Sequence, residues 1–125
     1  MTPPHPAPLD VPRVCLALAS YRYTFQDEVS LQNGIQEVLE AKAVAFKREF
    51  RLDAKSRPDF MLGSVAIEVK IKGSVAEFLR QAHRYLLHEQ VSALIVVGTP
   101  KWLPLVPSEL AGKPVYAVRL LSSLL

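Results

Sequence analysis

Two short segments in the middle of the chain alternate apolar and polar positions in the way that β-strands do. They lie within RPDFMLGSVAIEVKIK, residues 57–72, and a Gly-Ser pair between them favours a tight turn. Because successive strand side chains point to opposite faces, Glu68 and Lys70 share one face of the second strand. The other face is apolar: Val65, Ile67, Val69 and Ile71. The pattern predicts a hairpin with a core face and a polar strip, and Asp59, near the start of the first strand, belongs to that strip.

Helical periodicity precedes and follows this hairpin. Residues 26–42 place apolar side chains on one helical face, and Thr24 is suitably placed to cap the N-terminus. Residues 75–89 show the same periodicity, and Ser74 is expected to cap that second helix.

The remaining apolar segments predict further strands. Residues 44–52 alternate, residues 93–98 (ALIVVG) form a continuous apolar run typical of a strand buried on both faces, and residues 115–118 suit a last strand. The stretch between the hairpin and residue 93 is long enough for a crossover between parallel strands. The expected fold is α/β, with a mixed central sheet flanked by helices.

The length of 125 residues fits a single domain with its own core. Residues 1–12 hold five of the ten prolines, which disfavour regular backbone hydrogen bonding, so we expect a flexible N-terminus before a domain of residues 13–125. The single cysteine, Cys15, excludes a disulfide within the chain and suits a reducing compartment. No stretch is long enough to span a bilayer. These features predict a cytoplasmic protein without a membrane partner.

Charge is unevenly distributed along the chain, although the net charge is only +3. Residues 42–57 contain six basic residues against two acidic ones. A solvated charged face is the simplest explanation of such a segment. Next to a metal site, the same segment would attract phosphate groups.

One acidic residue of the first predicted helix lies where an apolar residue is expected. Glu28 falls on the same helical face as Leu31, Ile35 and Leu39, and a charged group there needs a partner. It could also be a first-turn acid that interacts favourably with the helix dipole. Glu37 falls on the opposite face.

The polar strip has the chemistry of a magnesium site. Mg²⁺ takes oxygen ligands, and proteins often hold it with one or two carboxylates plus substrate phosphate. Asp59 and Glu68 supply the carboxylates, and the backbone carbonyl of Val69 could supply another oxygen. A metal ion held there could polarise a phosphoryl oxygen and lower the pKa of an attacking water. Lys70 could hold that water or stabilise charge on the phosphate.

The spacing of these residues resembles a known catalytic motif. Pro58-Asp59, nine further positions to Glu68, and then Glu68-Val69-Lys70 are similar to the motif of the PD-(D/E)xK nuclease superfamily, which has a restriction-endonuclease-like fold. The predicted order αβββαβ also resembles this superfamily over about residues 24–98, its small Holliday-junction-resolvase-like and VRR-NUC-like members in particular. Gln81 and Tyr85 look like the Gln-x3-Tyr element of RecB-type nucleases.

The resemblance implies a set of site residues. It implies Asp59, Glu68, Lys70 and a helix acid as catalytic residues, with Glu28 preferred for the helix acid because of its place on the core face. Glu37 and Glu49 remain alternatives. The implied metal ligands are Asp59, Glu68, the Val69 carbonyl and Glu28, and the implied supporting pair near the site is Gln81 and Tyr85.

The resemblance implies hydrolysis of DNA phosphodiester bonds with Mg²⁺, for which Mn²⁺ could substitute. Four basic residues are expected to contact DNA phosphates: Arg48, Arg51, Arg57 and Lys72. A small chain suggests structure-selective or non-specific cutting, as a homodimer or through a recruiting protein partner. Two alternatives remain, namely a catalytically silent DNA-binding or assembly module of the same fold, and an α/β interaction domain whose charges only solvate a sheet edge.

Overall fold

The structure, a computed structural model, describes residues 9–120. In this range the chain forms three α-helices, six β-strands and a short 3₁₀ helix. In chain order they are α1 (Val11–Ser20), α2 (Glu28–Ala41), β1 (Lys47–Arg48), β2 (Phe60–Leu62), β3 (Val65–Lys70), α3 (Val75–Leu86), β4 (Ala93–Gly98), the 3₁₀ helix (Leu103–Leu105), β5 (Glu109–Leu110) and β6 (Lys113–Arg119).

The six strands form one mixed sheet in the order β1-β2-β3-β4-β6-β5. Strands β1, β2 and β3 pair antiparallel, β3, β4 and β6 pair parallel, and β5 pairs antiparallel with β6. The predicted α/β fold with a mixed central sheet is thus confirmed, as are the hairpin and the parallel crossover through α3. In the register, Lys70 is opposite Gly98, so the parallel strands β3 and β4 finish at the same end of the sheet.

Helices cover both faces of this sheet. The face that carries Ile67 and Val69 packs against α1 and α2, whose buried residues include Leu18 and Ile35. The opposite face packs against α3 through Phe78 and neighbouring side chains. The face of β3 predicted to be core is therefore core, and its polar strip faces the α3 side of the sheet.

Side-chain caps fix where the helices begin. The Oδ1 atom of Asp27 accepts a hydrogen bond from Ser30 N at 2.8 Å, and Asp27 N donates to Ser30 Oγ at 3.1 Å, which together form a capping box. The prediction that Thr24 caps α2 was therefore wrong, and Glu28 is the first helical residue. The predicted cap of α3 is confirmed, because Ser74 Oγ accepts from Glu77 N at 3.1 Å.

Two predicted boundaries also differ from the structure. Helix α1 begins at Val11, capped by Asp10, with a proline in its first turn, so the end of the proline-rich segment is helical; residues 1–8 lie outside the described range. The strand predicted over residues 44–52 is reduced to β1. Its ladder ends because Glu49 has a left-handed backbone, with φ of 52°. Between residues 9 and 120 no helix is long and apolar enough to cross a membrane.

Candidate active site

The hairpin of β2 and β3, called the site hairpin below, brings Asp59, Glu68 and Lys70 together at the end of the sheet where β2 begins and β3 finishes. Asp59 directly precedes β2, and Glu68 and Lys70 lie near the end of β3. The Lys70 Nζ atom is 3.3 Å from Glu68 Oε2, which confirms that these two side chains share a face. The negative charge of Asp59 raises the pKa of Glu68, so the two carboxylates are close enough to repel each other.

Each of the four carboxylate oxygens has one protein partner. Asp59 Oδ2 accepts from the backbone N–H of Val69 at 2.7 Å, and Asp59 Oδ1 accepts from Gln32 Nε2 at 3.0 Å. Glu68 Oε1 accepts from the Tyr85 hydroxyl at 3.0 Å, and Glu68 Oε2 pairs with Lys70. A carboxylate oxygen can accept more than one bond, so every oxygen keeps a lone pair while its orientation is fixed.

Burial disfavours charge on both carboxyl groups. It raises the pKa of Asp59 to about 6, against the effect of the Val69 N–H, which favours the ionised form. It also raises the pKa of Glu68 to about 7; the negative charge of Asp59 acts in the same direction, and Lys70 acts against it. The site therefore carries closely spaced carboxylates with a single nearby ammonium group, an arrangement that a divalent cation would stabilise.

The Val69 carbonyl faces the Asp59 side of the strand. A strand residue directs its N–H and C=O to the same edge, and the Val69 N–H donates to Asp59 Oδ2. The Val69 oxygen and the Asp59 carboxylate are therefore on the same side of β3.

Helix α3 supports Glu68 from the other side. Gln81 Nε2 donates to the Tyr85 hydroxyl at 3.0 Å, and that hydroxyl donates to Glu68. Burial and the Glu68 carboxylate raise the pKa of Tyr85, so Tyr85 remains a donor over the whole physiological range. Gln81 Oε1 is buried without a hydrogen-bond partner in residues 9–120, which leaves an acceptor beside the site. The predicted pair therefore does lie next to the site.

The three candidates for the accessory acid differ in their distance from Asp59 and in their exposure. Glu28 is half-buried in the first turn of α2, and its charge raises the pKa of Asp59. Glu49 has the same effect, and its backbone N–H donates to the Asp59 carbonyl at 2.8 Å. Glu37 is exposed on α2. In residues 9–120 no three His, Cys, Asp or Glu side chains group as a metal site, so Glu28 as a metal ligand stays a prediction.

The four basic residues predicted to contact phosphate differ in their surroundings. Arg57 and Lys72 are exposed near Asp59 and Lys70 in sequence, and Arg51 is exposed in the loop before β2. Arg48 is instead half-buried, with its guanidinium group held against α2 by amide side chains. Phosphate contact by any of the four stays a prediction.

Gln32 is a site residue that the sequence reasoning missed. It is 7% exposed and contacts Asp59 directly. The signal was present in the helical periodicity, because Gln32 lies one turn after Glu28 on a face that borders the apolar stripe. A polar residue buried there needs a hydrogen-bond partner.

Comparison of the chain with protein-family models, curated proteins and solved structures returned no match. The interpretation of the site therefore depends on its own geometry.

Proposed function

We propose that this chain is a divalent-metal-dependent nuclease that hydrolyses phosphodiester bonds of DNA. The observation that carries the proposal is the pair of adjacent carboxylates, Asp59 and Glu68, each held by fixed donors and accompanied by Lys70. Such a set is suited to a metal ion and a phosphate rather than to an isolated ion pair, because one ammonium group cannot neutralise both carboxylates.

The donors of the site fit Mg²⁺. Asp59, Glu68 and the Val69 carbonyl would hold it, and these are the hard oxygen ligands that Mg²⁺ and Mn²⁺ take. When bound, the metal would polarise a phosphoryl oxygen and lower the pKa of an attacking water. The negative charge of Asp59 raises the pKa of Glu68, and a bound divalent cation would offset this repulsion between the two carboxylates.

The protein's own groups have separate tasks in this proposal. Lys70, whose side chain is 21% exposed, can donate to the non-bridging oxygens of the phosphate, where negative charge increases during the attack. Tyr85 holds Glu68 in one orientation, and the Val69 N–H does the same for Asp59. Arg57 and Lys72 lie on the exposed border, where they would neutralise neighbouring phosphates.

The proposal extends to partners and compartment. The substrate is DNA, and the described residues 9–120, which form mainly the sheet and its covering helices, favour selection of DNA structure rather than sequence, as a homodimer or with a recruiting protein. The single, half-buried Cys15 supports a cytoplasmic location.

The test is a cleavage assay with full-length protein. Single-stranded, duplex and branched DNA and a single-stranded RNA are incubated with Mg²⁺, with Mn²⁺ or with EDTA. We expect metal-dependent cleavage of DNA that falls at least ~100-fold in Lys70→Ala and in Asp59→Ala. Lys42→Ala is the matched control, because Lys42 is exposed directly after the last turn of α2, whereas Glu28, near Asp59, begins that helix. Circular dichroism checks that each variant is folded.

Three outcomes would contradict the proposal in different ways. Equal cleavage by wild type and folded Asp59→Ala would exclude this site as the source of activity. DNA binding without cleavage in either metal would favour the silent DNA-binding module. Absence of both DNA binding and metal binding would leave an interaction domain.

A further inference from the structure

The side chain of Gln32 joins two charged groups that belong to different elements. Its Nε2 atom donates to Asp59 Oδ1 at 3.0 Å, and its Oε1 atom accepts from Arg48 Nη2 at 3.1 Å. If the Gln32 side-chain amide were flipped, its oxygen would face the Asp59 carboxylate and its N–H groups would face the Arg48 guanidinium, and both contacts would be repulsive. The amide orientation is therefore determined by its two charged neighbours.

Arg48 is fixed in turn by the surface of α2. Its Nη1 atom donates to Asn33 Oδ1 at 2.7 Å and to Gln36 Oε1 at 3.0 Å. Its guanidinium carbon lies 5.7 Å from the centre of the Phe60 ring. All of these hydrogen-bond partners, Gln32 included, are neutral amides, so Arg48 has no carboxylate in direct contact within residues 9–120. The nearest carboxylate in this network is Asp59, and the Gln32 side chain lies between it and Arg48.

We propose that Gln32 and Arg48 are positioning residues that hold the Asp59 carboxylate in the orientation needed to bind the metal. The inference rests on the proposed function, because the metal is the ligand for which Asp59 is oriented. It changes the role of Arg48 from the phosphate contact that the sequence predicts to a support of the site. Partners of this kind fix the rotamer of a metal ligand and leave its remaining lone pairs free.

The two possible roles of Arg48, phosphate contact and positioning residue, predict different outcomes for DNA binding and metal binding. A phosphate contact contributes to DNA affinity and to its salt dependence, in proportion to the counterions released. A positioning residue contributes to metal affinity and leaves the salt dependence of DNA binding unchanged. The guanidinium fork that serves three amides cannot be reproduced by a lysine ammonium group, so Arg48→Lys keeps the charge and removes the support.

The experiment uses Mn²⁺ alone as the probe and the full chain in three variants. Gln32→Leu keeps the buried volume and removes both hydrogen bonds, Arg48→Lys removes the fork, and Arg84→Lys is the matched control at an exposed arginine of α3. Mn²⁺ affinity is measured by calorimetry. We expect it to fall about 10- to 100-fold in Gln32→Leu and Arg48→Lys, and to equal wild type in Arg84→Lys. DNA anisotropy in EDTA uses a further variant, Arg48→Met, which removes the charge, and its salt slope is expected to equal that of wild type.

The Mn²⁺ affinity is a readout that does not depend on DNA cleavage. Urea unfolding in EDTA measures the stability of the same variants without metal, and circular dichroism checks that each variant is folded. A merely structural role for Gln32 would lower stability and leave the Mn²⁺ affinity of the folded protein unchanged.

The outcomes separate this inference from the proposed function. If wild type binds Mn²⁺ and both variants bind it equally well, the positioning role is overturned and the proposed function stands. If Arg48→Met lowers the salt slope of DNA binding while Arg48→Lys leaves Mn²⁺ affinity unchanged, Arg48 is a phosphate contact and the inference is wrong. If wild type binds no Mn²⁺, the proposed function and the inference both fail.

Discussion

Glu68 is a carboxylate in a place that suits a neutral side chain. The residue is 4% exposed, and burial together with Asp59 raises its pKa to about 7. The unfolded chain releases this proton near pH 4.5, so between about pH 4.5 and 7 the folded state binds a proton that the unfolded state does not. Stability of the metal-free protein should therefore fall as pH rises through this window. An ionised Glu68 therefore lowers the stability of the metal-free protein.

The first residue-scale prediction concerns Glu68→Gln in metal-free protein. We expect its free energy of unfolding at pH 8 to exceed that of wild type by about 1 kcal/mol, because a buried negative charge beside Asp59 is removed. At pH 4 the two should be nearly equal, since wild-type Glu68 is then protonated. Urea unfolding in EDTA at both pH values measures this. Glu89→Gln, at an exposed glutamate, is the control, and a loss of stability in Glu68→Gln at pH 8 would contradict the prediction.

At this scale the sequence identifies residues whose partners are close along the chain. Asp59, Glu68 and Lys70 were predicted as one strip because strand alternation and a two-residue turn determine their relation. Gln32 and Arg48 were not predicted as a pair, since their contact joins a helix to a strand 16 residues away in the chain. No local periodicity specifies which amide a buried arginine will meet.

The elements around the site depend on one close approach between strands. Gly98, at the end of β4, lies opposite Lys70, and a Cβ atom at Gly98 would overlap the backbone carbonyl of Lys70. That carbonyl also accepts a hydrogen bond from Thr99 N at 3.1 Å. A side chain at position 98 would thus have to displace the backbone that carries Lys70.

The element-scale prediction is that Gly98→Ala lowers activity through Lys70. We expect a loss of about 1–3 kcal/mol in stability from overpacking, and at least ~10-fold lower cleavage because the ammonium group moves away from the phosphate. Cleavage by folded protein and thermal unfolding measure the two effects. Gly112→Ala is the control for cleavage: its φ of 76° makes an alanine there strained and lowers stability, but its Cβ meets nothing within 4 Å and leaves Lys70 in place. Wild-type cleavage by Gly98→Ala would exclude this coupling.

The sequence predicts the long elements better than their ends. The buried strand β4 and helix α3 follow from apolar runs and helical periodicity, and both are found where expected. Strand β1 is much shorter than predicted because Glu49 adopts a left-handed backbone, which an alternating pattern does not reveal. This left-handed residue is also next to Asp59, because Glu49 N donates to the Asp59 carbonyl at 2.8 Å and the Glu49 charge raises the pKa of Asp59.

On the scale of the whole molecule, the charge distribution matters more than the net charge of +3. Arg57 and Lys72 are exposed on segments that adjoin the site hairpin. If they contact phosphates, each contributes about 0.9 to the slope of log affinity against log salt for duplex DNA. Arg48, bound by three amides, should contribute nothing to this slope.

The corresponding prediction compares salt titrations of three variants. Arg57→Ala and Lys72→Ala should each reduce the slope for duplex DNA by about 0.9, and Lys42→Ala should leave it unchanged. Fluorescence anisotropy in EDTA, from low to moderate salt, measures the slope without cleavage. Equal slopes in all three variants would show that the DNA path lies elsewhere on the surface.

The support of the two carboxylates comes from opposite sides of the sheet. Asp59 is held by Gln32 of α2, and Glu68 is held by Tyr85 of α3. These helices belong to separate layers with separate apolar clusters. A cation shared by Asp59 and Glu68 would connect the layers directly, so that neither could open locally without releasing it. A bound ion would thereby make unfolding more cooperative, because the proposed metal site would join the two helical layers into one folding unit.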